Sequence, residues 1–506
     1  MLKKQKVLIV VLTVLFAVMI AAYFVVVRPI IEQEEPVQTA APVETEAAGE
    51  VVGQNDRILM FAHTEKENIR SIEVHNQHGS YTFYRDANGD FRIKGFESTA
   101  YDQELFSSLI VSAGYTLSMA KVDKVVSMEE YGLVRVTNED GSVWEPSWYK
   151  LTTTDGTEHT VTIGYPLITG GGYYAKYAGR NEVYVLNTDL ANTILAPIED
   201  MVTPMVFWPM AMNTYYMVDN FIFAEGEEIR VAIGYNSEEE RAGEYSMQVY
   251  RMLQPAGYNV SSTGYDSVLQ VFYSTTPLAC LELGVTDELL EEYGLAEPKY
   301  SIYFEFPDPD NGLIQNFALI SERNASGNYY VASSLFDQIV EVSGTDWDFL
   351  TWSFIDWVDA PIFQRNIDYV QEIRVESPNF SETYLLEGEK QELVVTQKSN
   401  GRNPEVSNFR QFYKTLLIAS IEGDVPMTEE EMAALAADPA NCQLTLTIVT
   451  DSTELVYRFY PYTERRSYMT LNGEGQFYVL RSMVDKIIAD ADRITRDEPV
   501  DSTTKY

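Results

Sequence analysis

The longest apolar stretch of the chain lies near its start. Residues 7–27 carry no charged side chain, and about 20 such residues are enough to cross a bilayer as a helix. Three lysines precede the run, and an acidic stretch follows Arg28. Because positive residues favour the cytoplasmic side, the pattern predicts a cytoplasmic tail over 1–6 and a transmembrane helix over 7–27. The bulk of the chain is then extracellular, on a single-pass protein of the cell membrane.

A cleaved signal peptide is the alternative for the same run. Signal peptides have an apolar core of about 7–15 residues that ends at a cleavage site made of small residues. Here the run is longer, and the bulky Tyr23 and Phe24 follow the small pair Ala21 and Ala22. We therefore expect an uncleaved anchor. Residues 28–56, rich in glutamate, proline and alanine, lack a periodic apolar face and are predicted to be an acidic flexible linker.

Short strand-like runs alternate with a few helices beyond the linker. Apolar residues alternate over 69–74, and the runs 79–85 and 89–95 are separated by turn residues, which predicts a hairpin. Apolar residues then follow helical spacing over 101–113. Four strand-like segments over 148–187 predict an antiparallel meander. A short helix is predicted directly after it.

The same order of elements returns later in the chain. The sequence Glu-Glu-Tyr-Gly-Leu occurs at 129–133 and again at 291–295, each time between a predicted helix and a run of strands. A third, weaker copy starts at Ile373 and lacks the Tyr-Gly-Leu element. We expect an α+β fold of two or three repeated units of antiparallel sheet packed with helices, on the N-terminal transmembrane helix. The predicted repeats cover 57–210, 211–362 and a divergent 363–497, and 498–506 form a tail.

The Tyr-Gly-Leu element has a structural interpretation. Glycine permits a positive φ just beyond the end of a helix, and its neighbours can then pack into the layer beneath. This predicts a packed junction, and a ligand site is the alternative. The residues concerned are Tyr131, Gly132, Leu133, Tyr293, Gly294 and Leu295.

These features together resemble a known bacterial family. The anchor, the first hairpin, the Tyr-Gly-Leu element and the Gly-Tyr-Tyr meander are similar to the family catalogued as domain of unknown function 4340, over roughly residues 60–350. Phe91 stands where that family commonly has a tryptophan, and no proline follows before the helix. The resemblance implies a membrane-anchored extracytoplasmic protein, of a kind often encoded near components of ABC transporters. It implies no catalytic residue.

The charge of the chain narrows the classes of binding partner, and its cysteine content limits disulfide bonding. The chain has 76 acidic against 36 basic residues, a formal net charge of −40. Such a field repels nucleic acid and anionic lipid headgroups, so no nucleic-acid partner is expected. The chain has only two cysteines, Cys280 and Cys442, so a framework of several disulfides is excluded. At most one disulfide could form, between these two residues.

Motifs with metal or catalytic chemistry are weak in this chain. His75 and His78 flank a turn without a third ligand nearby in sequence, and zinc normally takes three or four. Asp86 to Glu97 has the spacing of a calcium loop, but Phe91 stands where that loop needs glycine. We expect a hairpin turn there. We predict no catalytic residue, no cofactor and no metal, and the protein is not expected to be an enzyme.

Aromatic residues are concentrated near the ends of the predicted repeats. Trp347, Trp352 and Trp357 lie in a segment over 347–363 whose pattern is helical, and Trp208 occupies the corresponding place after the first repeat. One interpretation is packing between repeats. The other is an exposed patch that docks a membrane partner or the lipid interface, where tryptophan is favoured.

The leading functional hypothesis is a non-catalytic accessory or scaffold protein of a cell-envelope complex. Its partners would be cell-envelope or membrane proteins, including ABC-transporter subunits. The alternative is a protein that binds envelope polysaccharide or peptide with its aromatic residues, and a cell-wall-acting enzyme is third. A flat apolar patch at the repeat ends would favour the first hypothesis, and an exposed cleft lined by tryptophan and carboxylates would favour the others.

Overall fold

The computed structural model describes most of the chain beyond the predicted linker. The described residues are 43–44, 49–52 and 57–503, without 98, 139, 212 and 213. The predicted transmembrane helix over 7–27 lies outside them, and within them no helix combines the length and apolar character that a membrane crossing needs. The chain forms two compact units. The first comprises described residues up to Glu97 and Tyr101–Met201, and the second comprises Thr99, Ala100 and the described residues from Val202.

Three large antiparallel sheets and a small hairpin hold the strands of the described residues. The first sheet lies in the first unit, and the second and third sheets lie in the second unit. The strands of the first sheet are β1 (Val43–Glu44), β2 (Val51–Val52), β3 (Ile58–Leu59), β4 (Ile69–Asn76), β5 (Gly79–Arg85), β6 (Phe91–Ile93), β7 (Leu117–Lys121), β10 (Ser147–Thr153), β11 (Glu158–Pro166), β12 (Gly172–Tyr177) and β13 (Tyr184–Asn187), with the small hairpin formed by β8 (Val136–Thr137) and β9 (Val143–Trp144).

The second and third sheets have eight strands each. The second contains β14 (Asp219–Glu225), β15 (Glu228–Tyr235), β16 (Tyr250–Gln254), β17 (Ala279–Leu283), β18 (Tyr300–Asp308), β19 (Gly312–Ile320), β20 (Tyr329–Ser333) and β21 (Gln338–Val342). The third contains β22 (Val370–Ser377), β23 (Phe380–Glu387), β24 (Val394–Gln397), β25 (Ile421–Asp424), β26 (Leu444–Thr450), β27 (Glu454–Pro461), β28 (Arg466–Leu471) and β29 (Glu474–Leu480).

Helices connect and cover these strands. Those of the described residues are α1 (Gln103–Gly114), α2 (Thr188–Leu195), α3 (Glu238–Ala242), α4 (Ser262–Ser274), α5 (Asp287–Glu292), α6 (Phe354–Trp357), α7 (Val406–Ile418), α8 (Glu429–Ala436) and α9 (Arg481–Thr495). The α+β class predicted from the pattern of the sequence is therefore correct. The predicted first hairpin and the helix over 101–113 correspond to β5, β6 and α1.

The three large sheets share one strand order. If the strands of each repeat are numbered from β4, β14 and β22, leaving out the small hairpin of β8 and β9, all three sheets have the order 3-2-1-5-6-7-8-4. In the first sheet, β3, β2 and β1 extend the edge beyond strand 4. The third copy, which is the weakest in sequence, thus has the full set of eight strands. Repetition of the topology does not depend on the Tyr-Gly-Leu element that this copy lacks.

Part of the predicted linker instead belongs to the first sheet. Residues 43–44 and 51–52 form β1 and β2, and the side chain of Glu50 between them is buried. Lys121 Nζ donates to the Glu50 carboxylate at 2.8 Å, and the Tyr184 hydroxyl also donates to it. A buried carboxylate needs such partners. They come from distant strands, so the composition of residues 28–56 gave no sign of them.

The second repeat has no long helix after its last strand. In the first and third repeats, α2 and α9 begin directly after β13 and β29. After β21 the chain forms a 3₁₀ turn over Asp348–Thr351 and then the single turn α6, so the helix predicted over 347–363 is wrong. Bulky aromatic side chains from this segment fill the core instead. Trp347 and Trp357 are fully buried there.

Candidate functional site

An open cleft of about 870 Å³ lies between the second and third repeats, inside the second unit. Trp352, Phe354 and Trp357 contribute its aromatic surface. One wall comes from the second repeat, from β14, β15 and the segment that follows β16. The opposite wall comes from the third repeat, from α8 and the hairpin that joins β28 to β29. The cleft therefore exists only because the two repeats pack together.

Like Phe354, Trp352 is a half-buried aromatic side chain of this surface. It lies between the 3₁₀ turn and α6, where Asp356 Oδ2 accepts a hydrogen bond from the Ser353 amide at 2.9 Å and closes a capping box. Its ring meets the edge of Trp357 at a centroid distance of 5.3 Å. Trp357 in turn packs on Phe223 at 5.8 Å. The buried ring behind it holds Trp352 in place with one side toward the cleft.

A second aromatic group joins the two repeats at the base of the cleft. Phe354 stacks on Phe477 of the third sheet at 5.6 Å. The ring of Tyr258 meets both of them edge-on, at 5.2 and 5.6 Å. Burial raises the pKa of Tyr258 above its ordinary value. These contacts cross from one repeat to the other and fix the relative position of the two walls.

Polar side chains surround the aromatic surface. On one wall Arg230 pairs with Glu228 at 3.5 Å, and Gln254 lies nearby in the cleft lining. On the other wall are Glu474 and Gln476. Carboxylates accept hydrogen bonds and amides both donate and accept them, so this rim can bind a ligand that carries hydroxyl or amide groups.

The carboxylate of Asp424, which is hydrogen-bonded to a residue of the rim, has a raised pKa. Gln476 Nε2 donates to Asp424 Oδ1 at 3.1 Å. Burial, and secondarily the negative charge of Asp356, raise the pKa of Asp424 above its usual value. The hydrogen bond from Gln476 acts in the opposite direction. It also orients the amide that lines the cleft.

The four tryptophans predicted to dock a partner occupy different environments. Trp352 and Trp357 line the cleft, although Trp357 is only 1% exposed. Trp347 is fully buried and stacks on Phe207 at 5.7 Å, so it has no surface for docking. Trp208 is half-buried and stacks on Phe336 at 6.5 Å, outside the cleft lining. Packing within the second unit, rather than an exposed patch, therefore accounts for Trp347 and Trp357.

The Tyr-Gly-Leu element forms the same turn in both copies. Gly132 has a φ of +65° and Gly294 has a φ of +68°. The amide of Leu133 donates to the Met128 carbonyl at 3.0 Å, and the amide of Leu295 donates to the Leu290 carbonyl at 2.7 Å. These bonds, which reach back five residues, are those of a Schellman motif. Both leucine side chains are buried. A packed turn is present at both positions, but the predicted helix before it is present only in the second copy, where α5 precedes the turn. In the first copy the turn over 128–132 follows β7 and an irregular segment.

The surroundings of the two turns differ. Tyr131 is buried, and a Cβ on Gly132 would lie 2.7 Å from the ring of Tyr165. A Cβ on Gly294 would meet nothing within 4 Å. Tyr293 and Gly294 line a shallow depression of about 590 Å³. The first copy is closed by packing, whereas the second has space beside it.

Histidine, cysteine and carboxylate side chains form no cluster of three or more that could hold a metal ion, as far as the described residues show. His75 Nδ1 lies 2.7 Å from Ser80 Oγ, and its ring stacks on Trp148. Asp86 Oδ1 accepts hydrogen bonds from the amides of Asn88 and Asp90, as expected of a hairpin turn. Cys280 lies in β17 at the edge of the second sheet, Cys442 lies just before β26 of the third sheet, and no disulfide joins them.

Sequence reasoning missed most of the cleft. Four residues of its lining belong to no motif, and they come in two groups far apart along the chain: Gln254 and Tyr258 in one, Glu474 and Gln476 in the other. Packing of one repeat on the next brings them together. The signal that pointed to the site was the concentration of tryptophan after β21.

Comparisons with known proteins give this chain no relative: no family model, no curated protein and no solved structure matches it. The resemblance to the family of domain of unknown function 4340 therefore stays a prediction.

Proposed function

We propose that this protein binds polysaccharide of the cell envelope in the cleft between its second and third repeats. The observation that carries the proposal is the half-buried side chain of Trp352, which lines an open cleft together with amide and carboxylate groups. The envelope location rests on the transmembrane helix predicted over 7–27. The proposed role is binding, without a chemical step.

The chemistry of the cleft fits a sugar chain. Sugar rings have apolar C–H faces that pack on aromatic rings, and hydroxyl groups around their edges that bond to planar amides and carboxylates. Trp352 offers the first kind of contact, and Gln254, Glu474 and Gln476 offer the second. A volume of about 870 Å³ lies within the range of about 300–1,000 Å³ typical of ligand pockets. The cleft is open to solvent, so a bound sugar is not confined to a closed cavity.

The accessory role beside a membrane complex was the first hypothesis from the sequence. It was expected to show as a flat apolar patch of tryptophans at the repeat ends. Two of those tryptophans, Trp347 and Trp357, are buried in the core instead. Trp352 lines a cleft. These placements favour polysaccharide binding over docking of a protein partner.

The test is binding of the full-length protein to purified cell-wall polysaccharides and to a glycan array. Trp352→Ala removes the stacking surface, and aromatic hot spots of this kind contribute enough to weaken binding about tenfold or more. Trp208→Ala is the matched control, because Trp208 is also half-buried and lies outside the cleft lining. We expect this control to bind like the wild type. Circular dichroism checks that both variants fold.

Two results would contradict the proposal. Absence of binding to any glycan would reject it, and binding of extended peptides in its place would favour the alternative ligand class. Equal binding by the Trp352 and Trp208 variants would show that the ligand contacts another surface.

A further inference from the structure

A small pocket of about 330 Å³ lies at a second place where the second and third repeats meet. Ser246 and Met247 of the second repeat form one side, and residues of the third repeat form the rest. Three of the lining side chains are cations: Arg365, Arg410 and Lys414. In a chain with more than two acidic residues for each basic one, this grouping of positive charge is unusual.

The cations on α7 face the pocket together. Arg410 and Lys414 are four residues apart on the helix, so their side chains are neighbours and their like charges repel each other. Arg410 Nη2 donates to the Lys390 carbonyl, which is neutral and does not balance the charge. Lys414 is exposed at the mouth of the pocket. A bound anion would relieve the repulsion between them.

Arg365 is the buried cation of the pocket. Its Nη1 donates to Gln248 Oε1 at 3.1 Å and to the Gln364 carbonyl at 3.0 Å. Its Nε lies 3.4 Å from Glu244 Oε1, but neither of these two atoms makes a hydrogen bond. The ring of Tyr245 packs on the guanidinium at 4.6 Å. Neutral partners thus fix the guanidinium in place, and a poorly aligned carboxylate balances its charge.

Two carboxylates lie close enough to oppose an anion. Glu244 pairs with Arg365, and Asp368 accepts a hydrogen bond from the Lys390 amide at 2.9 Å. Neither is among the residues that line the pocket. The lining itself holds three cations and no carboxylate, so the wall of the cavity is positively charged.

We propose that this pocket binds a phosphate group. Arginine offers paired N–H donors that match two phosphate oxygens, and lysine adds a point charge. Ser246 and Asn366 in the lining offer further hydrogen-bonding groups. The site is separate from the cleft with Trp352, so it holds whether or not the cleft binds polysaccharide.

The experiment is calorimetric titration of the full-length protein with inorganic phosphate in a low-salt buffer free of other multivalent anions. We expect saturable binding at one site. Lys414→Gln removes a charge-assisted contact from an exposed position, where it does not disturb the core, and should weaken binding about tenfold or more. Lys398→Gln, an exposed lysine of the same repeat outside the lining, is the control and should bind phosphate like the wild type.

A second arm identifies the source of the phosphate. Sedimentation with phosphatidylglycerol vesicles, with and without competing inorganic phosphate, distinguishes a lipid headgroup from a soluble phosphate. Retention on vesicles that Lys414→Gln abolishes and phosphate displaces would assign the headgroup. Binding of inorganic phosphate without retention on vesicles would assign a soluble ligand. No heat of binding with phosphate, or equal binding by the Lys414 and Lys398 variants, would overturn the proposal.

Discussion

Single carboxylates stabilise tight turns in this acidic protein, and Asp155 is the clearest example. It lies in the turn between β10 and β11, where the Thr153 hydroxyl and the Thr157 amide donate to its Oδ1. These hydrogen bonds, with that from Thr153 first, lower the pKa of Asp155 to about 2. Hydrogen bonds to the charged form have this effect. The turn is therefore held by an ionised side chain.

The lowered pKa of Asp155 determines how its contribution to the stability of the fold depends on pH. Because the folded pKa is below the unfolded value of about 3.9, the carboxylate stabilises the fold fully above that value, and this contribution is lost as the pH falls through about 2. Asp155→Asn should lower the melting temperature at pH 7, and the difference from the wild type should shrink toward pH 2. Asp123→Asn, which removes one exposed negative charge, is the control. A difference that stayed constant from pH 7 to pH 2 would contradict this account.

The Tyr-Gly-Leu turn shows how one element can be repeated with different packing. Both glycines need a positive φ, which an L side chain adopts at a cost of about 1–2 kcal/mol. At Gly132 a Cβ would also overlap the Tyr165 ring, and overpacking of this kind adds about 1–3 kcal/mol. Replacement of the glycine by alanine should therefore cost more stability at Gly132 than at Gly294.

Gly132→Ala should destabilise its surroundings more than Gly294→Ala does. The measurement is amide hydrogen exchange of peptides that contain Leu133 and Leu295, compared with the wild type. Each variant serves as the other's control, because the backbone cost is shared and the packing cost is not. Equal losses of protection would mean that the Tyr165 ring moves aside without penalty.

Elements with a clear local sequence pattern were predicted correctly, whereas the structure of the aromatic segment over 347–363 was not. Alternating residues correctly indicated β4, the turn residues after 85 correctly indicated the hairpin of β5 and β6, and the apolar spacing correctly indicated α1. Over 347–363 the same reasoning predicted a helix. Trp347 and Trp357 pack into the core from a 3₁₀ turn and a single helical turn instead. Burial of large rings outweighed the local helical pattern.

At the scale of the whole molecule, the second and third repeats share one hydrophobic core. A buried polar group also connects them. Arg365 of the third repeat pairs with Glu244 of the second and donates to Gln248 and Asn259. The two repeats should therefore lose structure together, as one cooperative unit.

Arg365→Ala tests this cooperation. It leaves Glu244 buried without its partner, and breaking a buried pair in this way costs about 3–5 kcal/mol. Hydrogen exchange should become faster in peptides of both the second and the third sheet. Arg458→Ala, at a half-exposed arginine of β27, should leave both sheets protected. Faster exchange confined to one sheet would show that the repeats unfold independently.

The sequence by itself determined the α+β class, most of the order of strands and helices within the repeats, and the Tyr-Gly-Leu turns. These features depend on periodicity and on the backbone freedom of glycine, which are properties of short segments. Tertiary structure decided the partners of buried Glu50, the burial of Trp347, and the two sites between the second and third repeats. Those features depend on contacts between residues far apart along the chain. Such contacts arise when repeats pack on one another, and no local pattern specifies them.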